Sequence, residues 1–335
     1  MSKPRIAIVP GDPSGIGPEL IAKLINDEGV QDAANIVLVG DSHLWQQGAE
    51  QADMPVAIAT LSEDEIDAQQ GLNHLEMDTI ETSEIEISEV TVAGGRSSLR
   101  CLDKAMDLAQ AGKVDGVLFG PFNKASMTSA GLNAEDEHRY MARYLGFEGY
   151  HSEINVLDDL MTTRVTSHIG LKDVAENINE EGILKAINLA NDTLRRSGNT
   201  RPSIAVAALN PHAGDNGKFG REEIDILEPA IAKAQAKQMD VTGPWPSDTV
   251  FLKAKRGEVD AVVTMYHDQG QIAIKLLGFE RGVTVAGGLP IPVATPAHGT
   301  AFDIAGTNKA NVSATRQAFD LLVRMSKNHR AERDA

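Results

Sequence analysis

The 335-residue chain has a single cysteine, Cys101. No internal disulfide can form and no thiolate pair is available to a metal, so a reducing, cytoplasmic setting is expected. Basic side chains are also scarce: 31 Lys and Arg stand against 48 Asp and Glu, a formal charge of -17. That balance repels a phosphate backbone and removes the attraction on which nucleic-acid binding depends. A small anionic substrate is still admissible, because a local group of Lys and Arg reverses the field inside a cleft. No apolar run is long enough to cross a bilayer. The opening MSKPRIAIVPGD enters a short apolar stretch and then a turn, which reads as a first core strand rather than a secretory segment. No membrane partner is expected. Fixed-period repeats, low-complexity tracts and Ser/Gly linkers are missing too, so two domains would share a cleft rather than hang on a tether.

What is present is an ample apolar content, 42% of residues, distributed in two alternating patterns. Short β-branched or apolar runs (Arg5 to Val9, Ile36 to Gly40, Val114 to Gly120, Arg164 to Ser167, Ser203 to Leu209, Val259 to Met265) alternate with segments of helical period (Ser97 to Ala111, Glu180 to Arg196, Arg221 to Lys237, Ser313 to Lys327). That order predicts an α/β layered fold. Runs that are apolar throughout predict buried, mostly parallel strands. Glu84 to Val92 instead alternates as EIEISEVTV and predicts an edge or antiparallel strand. The last residues, HRAERDA, predict a frayed tail.

Three motifs could carry chemistry. The first, Pro10-Gly11-Asp12-Pro13-Ser14-Gly15-Ile16-Gly17-Pro18-Glu19, lies where a first strand hands over to a first helix. Leu20 stands where a dinucleotide fingerprint needs its third glycine, and the Gly-Lys-Ser/Thr of a P-loop is missing. On spacing alone it serves equally as a structural turn or a ligand-facing loop. The second is a set of histidines, His168, His212 and His267, each just beyond an apolar strand-like run, where an open α/β sheet places its ligand crevice. Three neutral imidazoles can hold a divalent ion and leave positions open for substrate. No His-Glu-x-x-His helix is present, so such a set must assemble from distant segments. The third, Ala297 to Gly306 with His298, Gly299, Thr300, Ala301 and Asp303, is dense in small residues. Spacing alone reads it as a surface turn ahead of a helix. Near these motifs stand Lys124, Arg139, Lys275 and Arg281, of which Lys275 is the candidate substrate clamp or proton carrier.

Taken together the motifs resemble the 4-hydroxythreonine-4-phosphate dehydrogenase family. The resemblance rests on Gly-Asp-Pro-Ser-Gly-Ile-Gly-Pro-Glu, Leu-Asn-Pro-His-Ala-Gly, Gly-Arg-Glu-Glu-Ile-Asp, Gly-Pro-x-Pro-x-Asp-Thr, Met-Tyr-His-Asp-Gln-Gly and His-Gly-Thr-Ala, in the family's order, from about residue 5 to residue 320. It implies an isopropylmalate-dehydrogenase-like fold, with two α/β/α domains (1–125 plus 290–335, and 126–289) flanking a cleft, and a homodimer with shared active sites. It also implies a metal site of zinc, cobalt, nickel or magnesium, with His168 and His212 from one subunit and His267 from the other. The His298 to Gly306 loop, Asn311 and the Gly288-Leu289-Pro290 turn would hold NAD or NADP.

The chemistry implied by the resemblance is oxidation of a hydroxyl activated by the ion, hydride passing to nicotinamide, followed by loss of carbon dioxide from the ketone. Lys275, Asp248 and Asp268 match the family's proton-handling set. Asp12, Lys124, His138, Arg139, Thr284 and Val293 fall at its substrate contacts. Thr284 and Val293 depart from the family's Asn and Arg, and His138-Arg139 replaces its His-Thr pair. The expected substrate is therefore 4-hydroxythreonine 4-phosphate or a close 4-phosphorylated acid such as D-threonate or D-erythronate 4-phosphate. Two alternatives are a catabolic dehydrogenase of a terephthalate-type cis-dihydrodiol acid, motivated by Val293, and a non-catalytic metal or nucleotide binder.

Overall fold

The computed structural model describes residues 3–55 and 57–333. Its strands, in chain order, are β1 (Arg5–Val9), β2 (Asn35–Gly40), β3 (Ala59–Leu61), β4 (Leu72–Glu76), β5 (Gly116–Phe119), β6 (Ser152–Leu157), β7 (Leu160–Arg164), β8 (Ser203–Ala207), β9 (Asp240–Trp245), β10 (Ala261–Thr264), β11 (Val283–Gly287) and β12 (Val293–Pro296). They belong to two compact units, Met1–Gly149 with Leu289–Ala335, and Tyr150–Gly288.

In the first unit the strands run β3-β4-β2-β1-β5-β12, all parallel. Ile6, Ala7, Ile8 and Val9 of β1 are fully buried, which is why this strand shows no polar alternation: both of its faces are covered. Helices make the crossovers. Pro18 sits in the first turn of Gly17–Ile25, where a missing N–H costs nothing. A Cβ on Gly48, in helix Ser42–Ala52, would lie 2.2 Å from the Pro18 carbonyl oxygen, so only glycine lets these two helices approach so closely. Helix Val92–Gln110 is capped by Thr91, whose hydroxyl accepts the Gly94 N–H at 2.9 Å. It buries Cys101, and burial pushes that thiol up to about 12.

Residues 126–149, expected in the second domain, pack with the first unit. Met127 and Leu132 bury against Leu99. Tyr140 and Tyr144, one turn apart on helix Glu137–Tyr144, donate hydrogen bonds to Asp103 (2.7 Å) and Asp107 (2.8 Å), one turn apart on helix Val92–Gln110. The run Glu84 to Val92 is not the strand its alternation predicts. It is a 3-10 turn at Thr82–Glu84 and irregular chain up to the helix at Val92. Ile87, Val90 and Val92 stay exposed; no layer covers that apolar face, and strand propensity without burial stabilises little. The expected tail is helical, since Ser313–Arg333 is one helix whose Arg330 and Arg333 reach Asp115. Asp334 and Ala335 of HRAERDA lie outside the described residues.

In the second unit the order is β11-β6-β7-β10-β8-β9. The pairs β11/β6 and β6/β7 are antiparallel, and β7, β10, β8 and β9 are parallel. Val206 of β8, Val263 of β10 and Met161 of β7 form the buried centre of this sheet. β7 ends at Arg164, earlier than the Arg164 to Ser167 run predicts. The helix expected over Arg221 to Lys237 opens as a π-helical turn, Glu223–Leu227, before α-helix Glu228–Ala236. Pro229 explains the wide turn, because it supplies no N–H to an i to i−4 bond. Among the described residues no helix is long and apolar enough to cross a membrane.

Candidate active site

The parallel strands of the second unit end on one side, and that is where an α/β sheet presents its ligand groups. His168 follows β7, His212 follows β8, Asp248 lies in the first turn of helix Ser247–Lys255 after β9, and His267 begins helix His267–Gly278 after β10. Arg164 and Thr264 are register partners at the ends of β7 and β10, so the two loops that leave them run side by side. The Thr166 N–H and hydroxyl both donate to the Met265 carbonyl, at 3.1 and 2.7 Å. In consequence the His168 and His267 rings stand 5.7 Å apart between centroids, inclined at 41°. They line a cavity of about 410 Å³ together with Ser167, Ile169, Tyr266 and Asp268.

The His267 ring is held from behind, and the chain that carries His168 is anchored beside it. Asp268 Oδ1 lies 2.7 Å from His267 Nδ1; a carboxylate that accepts this N–H leaves Nε2 as the outward lone pair. His168 has a φ of +51°, a left-handed conformation that costs a non-glycine residue about 1–3 kcal/mol and persists where surroundings impose it. Its neighbour Ser167 takes a hydrogen bond from Arg164 Nε at 2.9 Å, and the same buried guanidinium bonds Asn155 (3.2 Å) and Glu153 (2.5 Å).

His212 also has a left-handed backbone, φ +53°, but its ring lies against Phe219, 6.2 Å between centroids, and it does not line the cavity. Its loop is fixed by Glu223, 1% exposed. The Glu223 carboxylate accepts the Leu209 N–H (2.9 Å), the Asn210 N–H (2.7 Å) and the Asn210 side-chain amide (2.9 Å). Within one chain, then, His168 meets His267, whereas the resemblance pairs it with His212. Among the described residues no group of three His, Cys, Asp or Glu side chains is gathered to hold an ion. The two-histidine arrangement nonetheless fits one: with metal–nitrogen bonds of about 2 Å, a four-coordinate ion holds two imidazole centroids roughly 5 Å apart.

Lys275 is exposed on helix His267–Gly278. Asp268, Gln271 and Lys275 occupy positions i, i+3 and i+7, one face of that helix. Gln271 donates to Asn155 Oδ1 at 2.6 Å, and Asn155 donates to the Thr284 hydroxyl at 3.4 Å from the directly paired position on β6. Thr284 therefore belongs to this neighbourhood, and Asn155 presents a carboxamide beside it. Asp248 is exposed.

The remaining candidates lie in the first unit, apart from Gly288, which ends the second. Two are buried: Asp12 and Val293 are both 0% exposed. Val293 is paired with Val117 in the sheet, so it offers no wall to a ligand. Asp12 Oδ1 accepts the Ser14 N–H at 2.9 Å while Oδ2 has no hydrogen-bond partner. Burial raises this carboxyl above its ordinary range, against the lowering effect of the Ser14 N–H. Lys124 is exposed at the start of helix Lys124–Ser129, His138 is buried, and Arg139 is exposed and ion-paired with Glu135.

Motifs one and three of the sequence meet in this unit. The Ile16 N–H donates to the Thr300 carbonyl at 3.1 Å, and a Cβ on Gly15 would lie 2.8 Å from Thr300 Cβ, so Gly15 is required for this contact. The space over Gly299 is open within 4 Å, and Ala301 turns the chain with a φ of +43°. His298 contacts the Gly299 carbonyl through Nδ1 at 3.1 Å, and burial lowers its pKa, which favours the neutral ring. Asp303 and Pro290 are exposed and Leu289 is buried. Asn311 accepts the Ser313 N–H at 3.0 Å ahead of the last helix.

No sequence motif singles out Glu223, Arg164 or Asn155. The signal for Glu223 was an acid in phase with Leu227 and Ile231, both buried on the same helical face. For Arg164 it was a guanidinium closing an apolar strand.

The family model for the pyridoxal phosphate biosynthetic protein PdxA matches residues 32–322. A relative from Pseudomonas aeruginosa, provisionally named 4-hydroxythreonine-4-phosphate dehydrogenase 2, is 51% identical over 98% of this chain and 99% of its own. The D-threonate 4-phosphate dehydrogenase of Salmonella typhimurium is 37% identical over 97% of this chain and 100% of its own. The crystal structure of 4-hydroxythreonine-4-phosphate dehydrogenase from Klebsiella pneumoniae superposes with a TM-score of 0.84 at 35% identity, covering 97% of this chain and 98% of that one. The architecture is of the isopropylmalate-dehydrogenase-like type.

Proposed function

The chain belongs to the family of the pyridoxal phosphate biosynthetic protein PdxA, and from that membership we propose that it oxidises a hydroxyl of 4-hydroxythreonine 4-phosphate or a close 4-phosphorylated acid, D-threonate or D-erythronate 4-phosphate. NAD or NADP would supply the hydride acceptor, and the ketone formed β to the carboxylate would then lose carbon dioxide. The observation that carries this reading is the pair His168 and His267, the latter oriented from behind by Asp268, in the cavity at the strand ends.

His168, His212 and His267, contributed by two subunits to each shared site, would hold a zinc, cobalt, nickel or magnesium ion. Such an ion supplies the Lewis acidity that lowers the pKa of a substrate hydroxyl. The protein's own part is positional and protonic. Asp268 Oδ1 fixes the tautomer of His267 by accepting at Nδ1. Lys275 Nζ, on the helix face shared with Asp268, is assigned to carry the proton, with Asp248 as the second acid. Arg139 and Lys124 are assigned to the substrate's anionic groups and His138 to their support. The dinucleotide is assigned to the loop His298, Gly299, Thr300, Ala301 and Asp303, with Asn311 and the Gly288-Leu289-Pro290 turn. The open backbone at Gly299 supports that assignment, because a ligand can come close only where no side chain intervenes.

A homodimer with shared sites is part of the proposal. Ile272 and Leu276, one turn apart on helix His267–Gly278, are 60% and 83% exposed, and Leu252 is 52% exposed; apolar groups so placed suit burial against a second copy. The reducing cytoplasm remains the proposed setting, in keeping with the lone, buried Cys101 thiol. The alternative as an aromatic dihydrodiol dehydrogenase relied on Val293 as an apolar wall, and the burial of Val293 leaves it without that support.

The test is nicotinamide reduction with each 4-phosphorylated acid and its dephosphorylated counterpart, in the presence of each candidate ion. A large preference in kcat/KM for the phosphorylated form is expected. Equal values remove the phosphate assignment, and no reduction with any of these acids overturns the substrate class.

A further inference from the structure

One side chain ties together the loops that carry His212, Asp248 and His267, and it touches none of those three residues' functional atoms. Gln269 lies in the first turn of helix His267–Gly278. Its Oε1 accepts the Met265 N–H at 2.6 Å. Its Nε2 donates to the Ala208 carbonyl, where β8 gives way to the His212 loop, and to the Ser247 hydroxyl beside Asp248, both at 2.8 Å. Ser247 in turn donates to the same Ala208 carbonyl at 2.8 Å. Both amide hydrogens and the amide oxygen are thus committed, each to a different loop. The Met265 peptide extends the connection, because its carbonyl takes both bonds from Thr166, two residues before His168.

We propose that Gln269 is a positioning residue that sets the His212, Asp248 and His267 loops at one mutual spacing and, through the Met265 peptide, registers them with His168. The chemistry makes glutamine specific for this place. A glutamate keeps the acceptor for Met265 but turns an oxygen toward the Ala208 carbonyl, where two acceptors repel. An aliphatic side chain leaves the Met265 N–H and the Ala208 carbonyl each short of a bond. Supports of this kind change metal affinity by about 10–100-fold although they bind no metal. The inference rests on the metal reading above for its consequence, but not for its geometry.

Two measurements on the full-length protein separate them. Hydrogen exchange of the metal-free protein reads the loops directly: Gln269→Glu is expected to raise exchange in 208–216, 246–250 and 265–270 together. Gln235→Ala, which removes a comparable amide bond to the Val241 carbonyl elsewhere in the unit, is expected to leave all three unchanged. A rise confined to 265–270 overturns the proposal. Zinc titration of the metal-free protein is the second readout, with at least tenfold weaker binding expected for Gln269→Glu and none of that loss for Gln235→Ala. Unchanged zinc affinity in Gln269→Glu overturns the positioning role, whereas a parent protein that binds no zinc defeats the metal reading and leaves the exchange result to decide. Should Gln269→Glu fail to fold, Ser247→Ala removes two bonds of the cluster, those to Gln269 and to the Ala208 carbonyl, and is expected to loosen 208–216 and 246–250 together; unchanged exchange there overturns the proposal.

Discussion

The rings of His168 and His267 stand 5.7 Å apart because the strands that precede them are paired to their last residues, Arg164 opposite Thr264. Neither histidine depends on a local motif for its place; the sheet register delivers both to the same cavity.

If that pair receives a metal, the carboxylate behind His267 matters although it need not touch the ion. Asp268→Ala is expected to weaken zinc binding by about 10–100-fold, measured by calorimetric titration, since the freed imidazole loses its fixed tautomer and direction. Parent-like affinity would show that the 2.7 Å contact between Asp268 and His267 is incidental.

His212→Ala should abolish turnover together with metal binding. The two are measured on the same preparation, as kcat and as metal content. A fully active variant refutes the assignment of His212 to the ion, and its left-handed backbone then needs another explanation.

Glu223→Gln tests the support of the His212 loop. The buried carboxylate accepts three hydrogen bonds, from the Leu209 and Asn210 backbone and from the Asn210 amide. The glutamine NH₂ would face a donor where an acceptor is needed, at a cost of about 1.5–3 kcal/mol. Denaturant unfolding should show that loss and kcat should fall with it. A change below about 0.5 kcal/mol would mean that the loop is held by other contacts.

Asp12 makes stability depend on pH in an unusual direction. Burial raises its carboxyl pKa in the folded protein above the ordinary value. Between that ordinary value and the raised one the folded state binds more protons than the unfolded state, so this residue's contribution falls as pH rises through the window. Asp12→Asn removes the dependence. Its stability relative to the parent, followed by urea unfolding, should improve from acidic toward neutral pH; a constant difference would show that Asp12 ionises normally.

The layered α/β order was legible because buried parallel strands such as RIAIV are apolar on both faces and the helices repeat their apolar positions every three or four residues. Other elements were not. EIEISEVTV carries a strand pattern that nothing covers, and a local pattern cannot report the absence of a facing layer. The boundary near residue 149 depends on Tyr140 and Tyr144 meeting Asp103 and Asp107, contacts between helices that spacing along the chain does not reveal. Asp12 and Val293 looked like ligand contacts because their motifs did; both are sealed in the first unit.

Composition and motif order by themselves determined the fold class, the exclusion of disulfides, and the residue types available for chemistry, since these follow from local propensity and from which side chains exist at all. Only the tertiary structure decided which of those side chains meet. Register brings His168 to His267, a buried carboxylate holds His212 in its own loop, and one amide spans three strand ends, because such proximities are created by the pairing of distant strands and not by neighbours along the chain.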